Sequence, residues 1–463
     1  MSQKSLTALS LIIAALIGAA LLYVRVISSG FVLGTDTFSH PYKSFVAALM
    51  VSGLAWVCLI PIFKRSNASS LNKQLWAFVF LGAVLRAMFL ESTPIYEDDW
   101  NRYLWDGAVT QQGYNPYEYP PDITFVVGPD APQDVKDLQA LSGANGGITA
   151  RINNPHLTTI YPPVAMSVFS LAAVVKPFSL EVLRIIYLFI ELGALWLLFK
   201  TLMAYGREPY WALLYWLNPM LIYSVYNAGH MDILLVPFLI GALYLAKRRP
   251  LWASLILGLA AAVKIWPLIL GPVLLRGHRK SLPIYIGGGI IMGVTALLLM
   301  LPMLLSLGEA SGLQAYAGGW QRSSFVFGYL ESGLGFLGEN AGRIARIFIA
   351  GLLTALALWF AFKRGDDDKV FPAYLMIIPL CLFLLSPTGY PWYVLWFLPF
   401  LPFFPLYGAA LLTVTVSIYY VRFAMGERDY YDLYTAYLIP LQFGLPIIVL
   451  LWETYALRKR SNA

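Results

Sequence analysis

Long apolar runs separated by short polar turns dominate the chain, and they are the first thing its pattern predicts. A helix crossing a bilayer needs about 20 apolar residues, somewhat fewer when packed among other helices. Runs of that kind fall at 6–27, 44–63, 75–90, 183–204, 209–226, 231–247, 282–305, 343–363, 370–386, 391–404, 405–422 and 434–452. A shorter pair falls at 251–263 and 265–276. The expectation is an all-α polytopic membrane protein with roughly 12–14 transmembrane helices. In blocks, 1–90 carries N-terminal transmembrane helices, 91–182 a large polar loop, 183–305 central helices, 306–342 a second loop and 343–463 C-terminal helices.

One stretch breaks the pattern and organises the rest. Pro94 to Pro121 packs five carboxylates, one arginine and seven aromatic residues between apolar runs. At helical spacing, Asp98, Asp99, Arg102 and Asp106 share roughly 100° of arc, with Trp100, Tyr103, Leu104, Gly107 and Ala108 opposite. That predicts an amphipathic helix lying on the membrane with its acidic edge toward a cavity. Thr93 and Pro94 suit a cap and a first helical position, and Gly113-Tyr-Asn-Pro ends the helix.

Composition agrees: the chain is 59% hydrophobic and 12% charged, with a mean hydropathy of +0.66, far from soluble domains. The net charge of +7 is no nucleic-acid footprint, because the cations collect in short loops, as orientation signals do. Loops with Lys64, Arg65 and Lys73, then Lys247 to Arg249, Arg276 to Lys280, Lys363 and Arg364, and the tail from Arg458, are expected in the cytoplasm together with both termini. The Pro94 loop, Asn227 to Asp232, Ser306 to Arg343, Ser386 to Tyr390 and Met425 to Tyr431 then face outward. Tyr161 to Pro177 is apolar enough to span, but counting it would invert the layout. It is read as a helix lying in the outer leaflet, which makes 91–182 one external loop. The first apolar run is too long for a signal-peptide core and is kept as a span. Cys58 and Cys381 lie in apolar runs and imply no disulfide framework. Residues 122–155 are polar and aperiodic, an irregular flap. Gly287, Gly289 and Gly293 indicate close helix packing, not a phosphate loop.

Several polar groups sit where they are costly. Asn227, His230 and Asp232 flank an outward turn, either as a capped polar turn or as ligands for a sugar, a phosphate or a metal. Lys264 interrupts an apolar pair of helices, marking a functional site unless it snorkels to the interface. Glu191 reads as a hydrogen-bonding group inside the bundle, Arg86 as a snorkelling side chain, and the triplet Asp366 to Asp368 as a solvated turn. Arg322 beside Trp320, and Tyr390 beside Trp392 and Tyr393, offer surfaces for sugar faces and lipid phosphates, although aromatic residues also belong at any membrane interface. An external carboxylate pair can deprotonate a sugar hydroxyl while cations stabilise a departing phosphate. With no nucleotide-binding domain in sight, that chemistry points to a membrane-borne donor.

The ordered set PxxEDDxxRYLWDG, GYNPY, IYPPVA, LNP, NAGHMDILL, LAAAVKIWP and GYPWYVLWFLP resembles the GT-C glycosyltransferases over about Leu75 to Leu401. Within them it is most similar to polyprenol-phosphate-mannose-dependent transferases, bacterial members and the transferase of the first GPI mannose. The resemblance implies a GT-C fold, inverting transfer of a sugar, mannose above all, from a polyprenyl-phosphate donor to a glycan or glycolipid acceptor, and an external active site on an inner membrane. It implies a catalytic acid at Asp98 or Asp99, the choice being open because Glu97 precedes both. Arg102, Lys264 and Arg322 are the expected phosphate ligands; Asp106, Tyr161, His230, Asp232 and Tyr390 are the expected substrate contacts. No cofactor is required by the pattern, while a divalent metal held by Asp98, His230 and Asp232 stays open, and no nucleic acid is expected. A lipid-linked sugar flippase or transporter is the rival from another class, lacking the paired repeats common there. A lipid-linked glycan ligase or polymerase is the rival enzyme.

Overall fold

The computed structural model describes residues 2–32, 39–364, 370–426 and 429–461. The Asp366 to Asp368 triplet lies outside them. The described residues are helical without a named strand, with one isolated parallel bridge between Arg322 and Thr388. The protein is an all-α polytopic membrane protein. Seven described helices are long and apolar enough to cross a membrane: Gln3–Gly30, Tyr42–Arg65, Leu180–Ala204, Leu282–Leu305, Gly335–Phe362, Tyr407–Ala424 and Asp432–Lys459. The number rises to 8 if the bent pair Pro219–Asn227 and Met231–Leu245 is one span.

The expected 12–14 is not reached by this measure, and proline explains much of the difference. The apolar run 209–226 is built as Pro209–Ala212, Leu213–Trp216, Pro219–Ile222 and a π-helical turn Tyr223–Asn227. Residues 391–404 become the 3-10 pieces Pro391–Trp396 and Leu398–Phe400, and 265–276 is divided at Pro267 and Pro272. A proline lacks the amide that would continue the ladder, so each opens a new piece.

Contacts divide the chain into two units. The first comprises Met1–Tyr96, Gly193–Asn227 and Gln321–Ala463. In it Gln3–Ile27 packs against Tyr42–Val57 and Ala68–Ala87, and Tyr407–Thr415 packs against Ile439–Ser461. Gly408 permits that last approach, since a Cβ there would stand 2.8 Å from the Pro446 carbonyl oxygen. Arg86 does not snorkel. It is fully buried with its guanidinium 3.5 Å from the Trp216 ring centroid, and Nη1 donates to the Gly82 carbonyl at 2.9 Å. Desolvated contact with an aromatic face holds a guanidinium well.

The same unit fixes the segment that leads into the acidic stretch. The Asn227 side chain accepts from the Ile95 amide at 3.0 Å and donates to the Ser92 hydroxyl at 2.9 Å and the Thr93 carbonyl at 2.8 Å. The Tyr223 hydroxyl donates to the Ile95 carbonyl at 2.8 Å. Asn227 is therefore a structural clamp. Tyr96 follows at φ 60°, a conformation costly for a bulky residue, with its ring stacked 4.6 Å from Phe423.

The second unit comprises Glu97–Leu192 and Ala228–Trp320. Its centre is the helix Asp99–Gln111 packed on Pro163–Val175. Gly107 makes the approach possible, because a Cβ would meet the Phe169 carbonyl oxygen at 2.4 Å. Tyr103 stacks on Phe169 with centroids 4.7 Å apart. Pro163–Val175 has 13 residues, reaching about 20 Å at 1.5 Å per residue, too short to cross a ~30 Å hydrocarbon core alone. Pro250–Ala261 packs on Leu282–Leu305 at Gly258 and Gly288. The close glycine there is Gly288; Gly289 and Gly293 would meet nothing within 4 Å and Gly287 only Leu251 at 3.8 Å. The flap is not wholly irregular either. It holds the helix Gln133–Gly143, tied down by Tyr114 and Tyr119 donating to Asp137 and Asp134.

Candidate active site

The acidic stretch is built differently from a helix begun at Thr93. The clamp on residues 92–95 keeps that segment out of helical form, and the helix starts at Asp99 with Asp98 in the capping position at φ −127°. Asp98 makes no capping bond. Its backbone carbonyl accepts from the Asn101 amide at 3.0 Å and the Asn101 side chain at 3.1 Å, leaving the carboxylate turned elsewhere. Nor does the helix lie amphipathically on a surface, because every residue from Asn101 to Val109 is buried.

Both aspartates are bridged by one amide. The Asn153 Nδ2 donates to Asp98 Oδ1 at 2.8 Å and to Asp99 Oδ1 at 3.0 Å. Neither aspartate is fully buried. Burial first, then the charges of Asp99 and Glu97, push the Asp98 carboxyl up to about 7, while the Asn153 amide pulls the other way. His230 is fully buried and faces two carboxylates: Nε2 lies 3.5 Å from Glu97 Oε2, and Nδ1 lies 3.8 Å from Asp99 Oδ2. Gly229, at φ 81°, makes the turn that delivers His230, and Trp100 and Leu180 pack against it. Two residues on, Asp232 Oδ1 accepts from Lys264 Nζ at 2.7 Å.

Three expected ligands have structural work instead. The Arg102 Nη2 donates to the carbonyls of Asn154 and Leu157 at 3.2 and 2.9 Å, and Nη1 lies 3.9 Å from Asp106, so the guanidinium ties the helix to the loop before Tyr161. It is not on one arc with Asp98, because Asp98 precedes the helix. Asp106 is 1% exposed beside Arg102, and burial outweighs the Arg102 charge to raise its carboxyl to about 6. Tyr161 is a packing residue, edge-on to Tyr103 at 4.9 Å, and its carbonyl accepts from the Tyr117 hydroxyl at 2.7 Å. Glu191 is fully buried, as expected of a bundle-interior group.

Arg322 and Tyr390 belong to the other unit, where Arg322 forms a short bridge with Thr388, two residues before Tyr390. The Arg322 amide donates to the Pro387 carbonyl at 2.9 Å, and the Gly389 amide donates to the Arg322 carbonyl at 2.8 Å. The Tyr390 ring stacks on Trp392 at 4.5 Å. Among the described residues, no group of three His, Cys, Asp or Glu side chains is placed to hold a metal ion, the set Asp98, His230 and Asp232 included.

Residues 159–387, just under half of the chain, match Glycosyltransferase family 87. A curated relative, Alpha-(1->6)-mannopyranosyltransferase B of Corynebacterium glutamicum, is 25% identical over 444 residues, covering 85% of this chain and 68% of the relative. The chain is a membrane glycosyltransferase. The likeness to GT-C polyprenol-dependent mannosyltransferases read from the motifs agrees with both matches. No solved structure matches the chain. In this glycosyltransferase the family match takes in Tyr161, His230, Asp232, Lys264 and Arg322 but begins beyond Asp98 and Asp99. Asn153 is the residue that sequence reasoning passed over. Its only signal is the pair Asn153-Asn154 before Pro155, in a stretch without periodicity.

Proposed function

We propose that this glycosyltransferase moves a sugar, mannose first among candidates, from a polyprenyl-phosphate donor to a glycan or glycolipid acceptor on the external face of an inner membrane. The observation that carries the reading is the Asn153-bridged pair Asp98 and Asp99 at the head of a buried helix, with one member raised to about 7. A base is most effective when its pKa lies near the working pH. Asp98 is the assigned base, since Asp99 is also directed at His230. It takes the proton from the acceptor hydroxyl as the oxygen forms its bond to the anomeric carbon. The carbon–oxygen bond to phosphate breaks, and the lipid phosphate leaves with the electron pair. Displacement in one step inverts the anomeric centre and needs no covalent sugar intermediate.

Support for the mannosyl donor is the name of the Corynebacterium relative, which speaks for that protein, together with the motif resemblance. Support for the outward face is the run of cations in the opposite loops. The test is transfer by the purified protein in lipid vesicles, supplied with polyprenyl-phosphate mannose, polyprenyl-phosphate glucose or a nucleotide sugar and a membrane lipid extract as acceptor. Mass spectrometry should show hexose addition with a polyprenyl-phosphate donor, mannose giving most. Transfer from the nucleotide sugar alone would overturn the reading.

A further inference from the structure

Residues 233–308 include no aspartate or glutamate, yet the turns at 247–249 and 276–280 carry six lysines and arginines. The fold joins the two turns. The His278 Nε2 donates to the Ala246 carbonyl, which can only accept, at 3.1 Å, beside Lys247. Arg248, Arg249 and Lys280 are exposed and Arg279 is half-buried, and among the described residues none of these four pairs with a carboxylate. Lys247 and Arg276 are engaged in contacts of their own. The helices Pro250–Ala261 and Leu282–Leu305 both begin at these turns, and neither start has a side-chain cap. First-turn amides add positive potential to that of the cations.

Immediately beyond the turns the surface turns apolar. Leu251 and Trp252 on the first helix, and Leu282, Ile286 and Ile290 on the second, are 41–64% exposed. Spacing by four residues puts the last three on one helix face. The two sets adjoin, because Leu251 lies 3.8 Å from where a Gly287 Cβ would stand. A cluster of cations without a counter-charge, set at the head of a lipid-facing apolar strip, matches an anionic amphiphile in both halves.

We propose that the two turns hold an anionic phospholipid of the bilayer, with its phosphodiester on Arg248, Arg249, Arg279 and Lys280 and an acyl chain along the apolar strip. A zwitterionic lipid fits poorly, since its ammonium would meet these cations and no acid in either turn. A soluble anion would leave the adjoining strip unused. An orientation signal needs only cations on one side of the membrane and gives no preference among bound lipids.

The test is native mass spectrometry of the full-length protein in detergent with equimolar phosphatidylglycerol and phosphatidylcholine of the same acyl chains. Each cation near an anionic head group is worth about fivefold, so the wild type should retain phosphatidylglycerol over phosphatidylcholine by roughly 100-fold or more. Arg248→Gln with Arg249→Gln should lower that preference about 25-fold. Lys4→Gln with Lys73→Gln removes the same charge from exposed positions elsewhere and should leave it unchanged. Replacing chloride by inorganic phosphate at matched ionic strength should leave the lipid bound. Equal retention of the two lipids by the wild type overturns the proposal, whether or not the variants fold. So does an equal loss in the Lys4 and Lys73 pair, which would make net charge the cause, and so does displacement by inorganic phosphate, which would make this a site for soluble anions.

Discussion

The Lys264 ammonium donates to Asp232 at 2.7 Å, and it is the counter-ion of a carboxylate that is 1% exposed. Before any phosphate role, the lysine neutralises a buried charge. Removing one partner of such a pair typically costs about 3–5 kcal/mol, because the other is left uncompensated. Lys264→Met should therefore lower the melting temperature of the purified protein markedly, and Lys264→Met with Asp232→Asn should regain much of the loss. The lysine side chain keeps 19% of its surface, enough for an ammonium to reach a second anion. A donor KM still raised in the double variant, with the acceptor KM unchanged, would assign that anion to the lipid phosphate.

Gly107→Ala should uncouple the two helices of the candidate site. Its Cβ would stand 2.4 Å from the Phe169 carbonyl, a backbone atom that cannot step aside. Overpacking of this kind costs roughly 1–3 kcal/mol. Thermal unfolding should fall accordingly, whereas Gly128→Ala, with nothing within 4 Å, should leave it unchanged.

Asp98 also ties activity to stability with opposite signs. Its carboxyl is raised from 3.8 to about 7 in the folded protein, so the protonated form is the one that folding favours. The contribution to stability is fully present below the unfolded value and is lost as pH rises through about 7. Activity that needs the ionised base should rise over the same range. Asp98→Asn should then raise the melting temperature at pH 8 relative to wild type while abolishing the rise in rate. A wild-type melting temperature that climbed from pH 5 to pH 8 would count against the burial of this carboxyl.

The acidic pair, the cluster of polar residues around it and the all-α membrane class are legible in the sequence because apolar runs and costly charges leave a mark at short range. The helix start is not. Thr93 and Pro94 carry good capping signals, but Asn227 and Tyr223 capture that backbone from far along the chain, and tertiary hydrogen bonds outweigh a local propensity of about 1 kcal/mol. Arg102 and Asp106 make contacts that helical spacing does not reveal, for a related reason. Helical spacing places them on one edge, but burial of that edge turns them on each other and on the carbonyls of Asn154 and Leu157. Asn153 leaves no pattern because one amide in a polar loop looks like any other until the loop folds back.

Topology is testable by labelling. Single cysteines at the exposed positions Gln112, Asp137 and Gln314 should react with an impermeant reagent added outside, and those at Ser69 and Gly277 should not. Ser311, buried and capping the helix Gly312–Gly319, is unsuitable for this purpose. A reporter at Leu180 should be external as well. Labelling of Leu180 from the cytoplasm would mean that the apolar stretch 161–177 crosses the membrane, and the outward placement of the carboxylates would fall.

The most direct measurement is the turnover of Asp98→Asn and Asp99→Asn in lipid vesicles with polyprenyl-phosphate mannose and the lipid-extract acceptor. General-base catalysis is worth about 10²–10⁴-fold, so Asp98→Asn should lose that factor in kcat with donor KM little changed, and Asp99→Asn should act chiefly on KM. Near-normal turnover in Asp98→Asn beside a dead Asp99→Asn would exchange the two roles. Full activity in both would contradict the account of this helix as a catalytic one.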